Sequence, residues 1–239
     1  MRLLAQIGPE RRPPSDLGTR NTKALEAAAS RYSNATMIDL GVRFGYSSEA
    51  LLRGSSGHNC IVHGVDIDFS RLPRSLRSAP NYEYTAGDSA TAGRYWNPLR
   101  KVSLLFVDTI HVKEMILVEL RAWQPHLQVG SMVVFHDTNW EVPGGESIAG
   151  RDWDRPEAAV VDFFGLPTHS DYEDEFVRVK VMPESNGMTF VEIRKATDFS
   201  RNVEDWKHVV ESRNVIIREY STDLDIARLG IDMMDDITR

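Results

Sequence analysis

The sequence predicts an α/β protein, a mostly parallel sheet with helices between its strands, finished by an antiparallel hairpin. Three observations carry this. Short apolar, β-rich runs alternate with segments of helical periodicity from Met37 to Phe164. Acids stand at the ends of successive strands or in the turns after them, at Asp39, Asp66, Asp88, Asp108 and Asp137. Such a row is expected of a parallel sheet whose ligands gather along its carboxyl edge. Two alternating segments, 176–182 and 188–194, then flank Pro-Glu-Ser-Asn-Gly, which is a hairpin turn.

Taken in order, residues 1–16 carry Pro9, Pro13 and Pro14 and read as a loose arm. Residues 22–29 are helix formers, placed either against the sheet edge or over a ligand. The first strand follows at Met37 and Ile38, then a short helix at 49–53, a loop at 54–57 and a second strand at 60–66. A helix is expected to start near Ser70, and residues 82–86 form a strand running into Gly87-Asp88-Ser89. The clearest buried strand is 102–107; helical periodicity over 111–123 puts Met115, Val118 and Ala122 on one side, and Pro125 and Gly130 close that segment. Residues 131–135 make another buried strand, followed at once by His136-Asp137-Thr138. Pro156 suits the first turn of a helix over 156–164. Val203, Trp206, Val210 and Ile217 space an amphipathic helix, with a second short one beyond it. This divides the chain into a domain over 1–195 and a C-terminal helical extension over 196–239.

The chain is organised around I-D-L-G-V-R-F-G-Y-S at 38–47. A strand ends in Asp39, Gly41 and Gly45 permit a tight turn or close backbone approach, and Ser47 and Ser48 open a helix. The spacing is G-x-x-x-G, which is not the dinucleotide fingerprint. This stretch resembles the first motif of class I S-adenosylmethionine-dependent methyltransferases. The segment 106–140, with F-V-D-T-I-H and G-S-M-V-V-F-H-D-T, looks like the small-molecule and sugar O-methyltransferase branch of that family. The resemblance implies a doubly wound, Rossmann-like sheet of seven strands and S-adenosylmethionine as cofactor. It puts Asp39 beside the methionine part, counts Gly41, Gly45, Tyr46, Ser47 and Asp108 among the cofactor-binding residues, and gives both ribose hydroxyls to Asp66. It also implies adenine packed on Ile67, with the adenine amino group given to Asp88 beside Ser89.

Methyl transfer requires an acceptor oxygen aligned with the sulfonium methyl and relieved of its proton. His111, three residues after Asp108, is the expected general base; the alternatives are that it caps its helix, or that His136 takes the role. By resemblance to catechol-type methyltransferases, Asp108 and Asp137 match the acids of a magnesium site, with Thr138 where that family has an amide. Any one of the five acids has a bland alternative as a helix cap. The segment 141–150, flanked by Trp140 and Trp153, reads as a substrate-gating loop or an ordinary surface loop.

Composition narrows the partners. A net charge of −7 argues against nucleic acid, and no apolar run is long enough to span a bilayer. With Cys60 alone there is no internal disulfide and no cysteine zinc site. The expectation is a cytoplasmic O-methyltransferase acting on a hydroxylated small molecule, such as a glycosyl or other natural-product intermediate. Its C-terminal helices either pack on their own domain or form a homodimer. The competing readings are a nucleotide-dependent oxidoreductase, which the missing fingerprint disfavours, and a non-catalytic cofactor-binding protein.

Overall fold

The computed structural model describes residues 15, 17–139, 156–184 and 186–220. Helix α1 (Gly18–Ala29) leads into β1 (Thr36–Leu40), α2 (Tyr46–Gly54), β2 (Ile61–Asp66), the single turn α3 (Arg74–Arg77) and β3 (Tyr82–Ala86). Then follow α4 (Ser89–Arg94), β4 (Val102–Val107), α5 (Lys113–Trp123), β5 (Leu127–His136) and α6 (Pro156–Phe164). The chain continues through β6 (Tyr172–Glu173), β7 (Val177–Met182), β8 (Met188–Ile193) and α7 (Trp206–Tyr220).

The strands form one sheet in the order β3-β2-β1-β4-β5-β8-β7-β6, parallel from β3 to β5 and antiparallel beyond. The expected hairpin is β7–β8. Where seven strands were expected, the described residues form eight. The extra one, β6, pairs only Tyr172 with Val179 and Glu173 with Arg178 at the edge. Two residues are too few to leave an alternation in the sequence.

The central strands read as unbroken apolar runs because both faces are covered. Met37, Leu104, Phe106, Met132 and Val134 face a core shared with α1 and α2. Ile38, Leu105, Val107, Val133 and Phe135 face the other, shared with α5, α6 and the start of α7. Successive side chains thus alternate between two helical layers, as strand geometry requires. Helix α1 packs on α2 so closely that a Cβ on Gly54 would meet the Glu26 carbonyl oxygen at 2.2 Å.

Several boundaries shift for local reasons. The helix expected near Ser70 starts after Pro73, which holds an extended conformation ahead of Arg74. Helix α5 starts at Lys113 with Val112 as its N-cap and no side-chain cap, so His111 lies in the preceding loop and does not cap it. Gly130 lies inside β5 at a positive φ of 86°, where the β4–β5 register shifts, and does not mark the strand's start. Among the described residues no helix is long and apolar enough to cross a membrane. The N-terminal arm, the loop 141–150 with its tryptophans, and the short helix expected beyond α7 lie outside the described residues.

Candidate active site

The order β3-β2-β1-β4-β5 places the topological switch between β1 and β4, and the turns after these strands touch. The Asp108 amide donates to the Leu40 carbonyl at 3.0 Å, and the Gly41 amide donates to the Val65 carbonyl at 2.9 Å. Gly41 has φ +85° and lies so close to β4 that an added Cβ would fall 1.9 Å from the Asp108 carbonyl oxygen. A cavity of about 320 Å³ opens at this junction, within the range of small-molecule sites.

Most of the residues singled out in the sequence meet there. Gly41, Tyr46, Ser47, Asp66 and Ile67 line one part of the wall, and Asp88, Ser89, Asp108, His111 and Asp137 line the rest. Asp66 is aimed by backbone donors: Oδ2 accepts from the Arg43 amide at 2.7 Å and Oδ1 from the Asp68 amide at 2.9 Å. Ile67 is 41% exposed, unusual for an isoleucine, and supplies an apolar face to the cavity. From α1 the cavity receives only the preceding Leu17.

Three residues stand elsewhere. Asp39 is fully buried behind the wall, where Oδ2 accepts from the Ser47 hydroxyl at 2.9 Å and from the Ser48 hydroxyl. Its task is to hold the first turn of α2, not to line the cavity. Gly45 precedes α2 at φ +81° and packs against Leu72 and Leu76, also away from the cavity. Thr138, expected as a third magnesium ligand, is buried with its hydroxyl 2.8 Å from that of Thr189 and does not line the cavity.

Burial pushes the Asp39 carboxyl up to about 7, against the pull of the two serine hydroxyls. The folded state therefore keeps this proton to higher pH than the unfolded chain does. The resulting stability is whole below about 3.8 and is lost as the pH rises towards about 7. In urea unfolding at a series of pH values, Asp39→Asn should lose less stability than the wild type across that window. Parallel curves would refute this.

The polar end of the cavity is built from β4, β5 and the loop after each. Asp108 Oδ1 lies 3.3 Å from both His111 Nε2 and His136 Nδ1. Asp137, at a left-handed φ of 56°, brings Oδ2 to 3.1 Å from His111 Nε2 and Oδ1 to 3.2 Å from His136 Nδ1. Burial alone would raise the Asp108 carboxyl, but the His136 charge and hydrogen bonds from both imidazoles hold it well below the usual range. Burial alone would lower His111, and the Asp108 and Asp137 carboxylates reverse that and raise it. His136, with its side chain 1% exposed, is driven up to about 10 by the same two acids against its burial. It is the buried counter-charge beneath the pair.

Asp108, His111 and Asp137 each offer a ligand atom within 4.8 Å of the others. Two carboxylates and an imidazole are a donor set that a divalent cation accepts, with positions left for water or acceptor oxygen. The three residues fit such an ion.

Two participants were not singled out in the sequence. Glu119 of α5 lines the cavity and accepts from Ser89 and Thr109 hydroxyls. Arg213 of α7 pairs with Asp88 at 2.6 Å. Both carry a signal, a lone charge inside an otherwise apolar helical face, among Met115, Ile116, Ala122 and Trp123 and between Val210 and Ile216.

Residues 38–138 match a family described as a methyltransferase domain. No curated protein shows significant similarity to the chain. Among solved structures, the chain is similar to CalS11, a TDP-rhamnose 3'-O-methyltransferase of calicheamicin biosynthesis. That likeness has 18% identity and a TM-score of 0.52, and covers 74% of this chain and 81% of the other. It is similar to TomG, an O-methyltransferase of Streptomyces achromogenes involved in tomaymycin synthesis and solved with S-adenosylmethionine, at 16% identity and TM-score 0.54, covering 74% and 81%. The Podospora anserina methyltransferase PaMTH1, bound to S-adenosylhomocysteine, matches at 12% identity and TM-score 0.55, covering 75% and 81%. At these identities the likeness is one of fold. Residues 38–138 therefore match a methyltransferase domain, and the chain shares the fold of these solved methyltransferases.

Proposed function

We propose that the chain transfers the methyl group of S-adenosylmethionine to a hydroxyl of a small molecule. The observation that carries this is the convergence of Asp108, His111 and Asp137 in the same cavity as Asp66 and Ile67. Asp66, already aimed by two amides, suits the vicinal ribose hydroxyls, because a carboxylate accepts two hydrogen bonds from a diol. Ile67 offers its apolar surface to the adenine. In the reaction a bond forms between acceptor oxygen and methyl carbon, the carbon–sulfur bond breaks, and S-adenosylhomocysteine leaves. The hydroxyl proton goes to the His111 imidazole, whose Nε2–H the two carboxylates accept and whose charge they stabilise. The similarity to CalS11 and TomG, both O-methyltransferases, favours an oxygen acceptor, and the net charge of −7 favours a small molecule over nucleic acid.

A second reading rests on the same side chain. With Nε2 facing both carboxylates, His111 also suits the role of a ligand in a divalent site. Such an ion would supply Lewis-acid activation of the acceptor hydroxyl. Chelation separates the readings. If His111 is the base, chelated enzyme keeps its turnover. Its rate then rises with pH through an inflection above the ordinary histidine value, and His111→Asn lowers the plateau by about 10²–10⁴-fold and removes the inflection. If His111 is a ligand, chelation abolishes turnover and added cation restores it in the wild type only. Wild-type turnover in the His111→Asn enzyme would exclude both roles.

A further inference from the structure

Asp88 stands where the family resemblance implies an acceptor for the adenine amino group, yet three protein donors already take most of its acceptor sites. Oδ1 accepts from the amide and the hydroxyl of Thr91, each at 2.8 Å, and so caps α4. Oδ2 accepts from Arg213 at 2.6 Å. Arg213 is itself buried, at 3% exposure, so turning Asp88 towards a ligand would break a buried ion pair.

The same cavity carries a second carboxylate. Glu119 is 1% exposed, with Oε1 accepting from the Ser89 hydroxyl and Oε2 from the Thr109 hydroxyl at 2.9 Å. Neither donor is charged, and no ion pair reaches Glu119 among the described residues. A carboxylate has about four acceptor sites, and burying one with sites unmet is costly. Two hydroxyls fix the plane of this one and leave acceptor capacity in a residue that lines the cavity.

We infer that Glu119, not Asp88, accepts the hydrogen bond from the exocyclic amino group of the cofactor's adenine, and is the residue by which the site selects a 6-amino over a 6-oxo purine. The inference rests on the methyltransferase reading above. Ser89 then acts through Glu119, holding its carboxylate in place, and the Asp88–Arg213 pair ties α7 to the same wall.

Calorimetric titration with S-adenosylhomocysteine and with its inosine counterpart tests this. The wild type is expected to bind the adenosine form at least about tenfold more tightly, the scale on which a site built for a hydrogen bond rejects a ligand lacking it. Glu119→Gln keeps the side-chain volume and can still accept, but its amide nitrogen can donate to a 6-oxo group. The preference should fall to near unity or reverse. Ser89→Ala should narrow it in the same direction. An unchanged preference in Glu119→Gln overturns the inference, as does a wild type that takes both ligands equally well. A wild type that binds neither overturns the cofactor reading along with it.

Discussion

Replacing Asp108 by asparagine is expected to slow methyl transfer by roughly 10²–10⁴-fold, the range contributed by a positioned proton-transfer group. The substitution keeps the volume and removes a charge that faces two imidazoles at 3.3 Å. His111 loses one of the two acids that orient it. His136 loses part of the compensation for a buried positive charge, and breaking a buried pair costs about 3–5 kcal/mol. Asp137, 3.2 Å from His136, retains some of that compensation, so the loss of stability should fall at or below this range. Affinity for S-adenosylhomocysteine should change far less, because Asp66 and its two backbone donors are untouched. Single-turnover rates with an accepted hydroxylated substrate, cofactor titration and urea unfolding read the three effects separately. A variant with wild-type turnover would remove Asp108 from the chemistry under either reading of His111.

Gly41→Ala is expected to destabilise the fold by about 2–5 kcal/mol and to weaken cofactor binding with it. The left-handed φ of 85° costs an L-residue about 1–2 kcal/mol. The added methyl would sit 1.9 Å from the Asp108 carbonyl oxygen and 2.7 Å from its carbon, so backbone must move, at roughly 1–3 kcal/mol. No rotamer change relieves that contact, and the displaced strand end is the one that carries Asp108 into the cavity. Gly45→Ala is the control. Its φ of 81° is similar, but the nearest atoms are side-chain carbons of Leu76 and Leu72, at 2.5 Å and 3.0 Å, which can yield. Thermal and urea unfolding of the two variants should rank Gly41→Ala well below Gly45→Ala. Equal stabilities would mean that the β1 and β4 turns are not locked together.

The ease with which the site was read in the sequence varies with how local each interaction is. Asp66 and Asp108 were legible because a buried apolar run ending in an acid is a pattern of consecutive residues. Asp39 obeys the same pattern and yet is sealed behind the wall by Ser47 and Ser48, eight and nine residues on. Whether a strand-end acid faces the ligand or the next helix depends on how that helix packs, and spacing carries no record of it. Thr138 lies off the cavity wall for a similar reason: its hydroxyl meets that of Thr189 on β8, a partner 51 positions away. The bland alternative of a helix cap held for Asp88 and failed for His111, because Val112 starts the helix in its place.

The sequence by itself determined the alternating strands and helices, the parallel sheet closed by a hairpin, and the carboxyl edge on which the acids gather. These follow from apolar periodicity, turn residues and chain order, all properties of neighbours along the chain. Only the tertiary structure decided which acids face the cavity and that His111 meets both Asp108 and Asp137. It alone showed that His136 lies beneath that pair, that Arg213 from the last described helix takes Asp88, and that Glu119 remains on the cavity wall. Each of these is a contact between elements far apart in sequence. Their charges acquire partners, and their pKa values their direction, only once burial has fixed which side chains share a space.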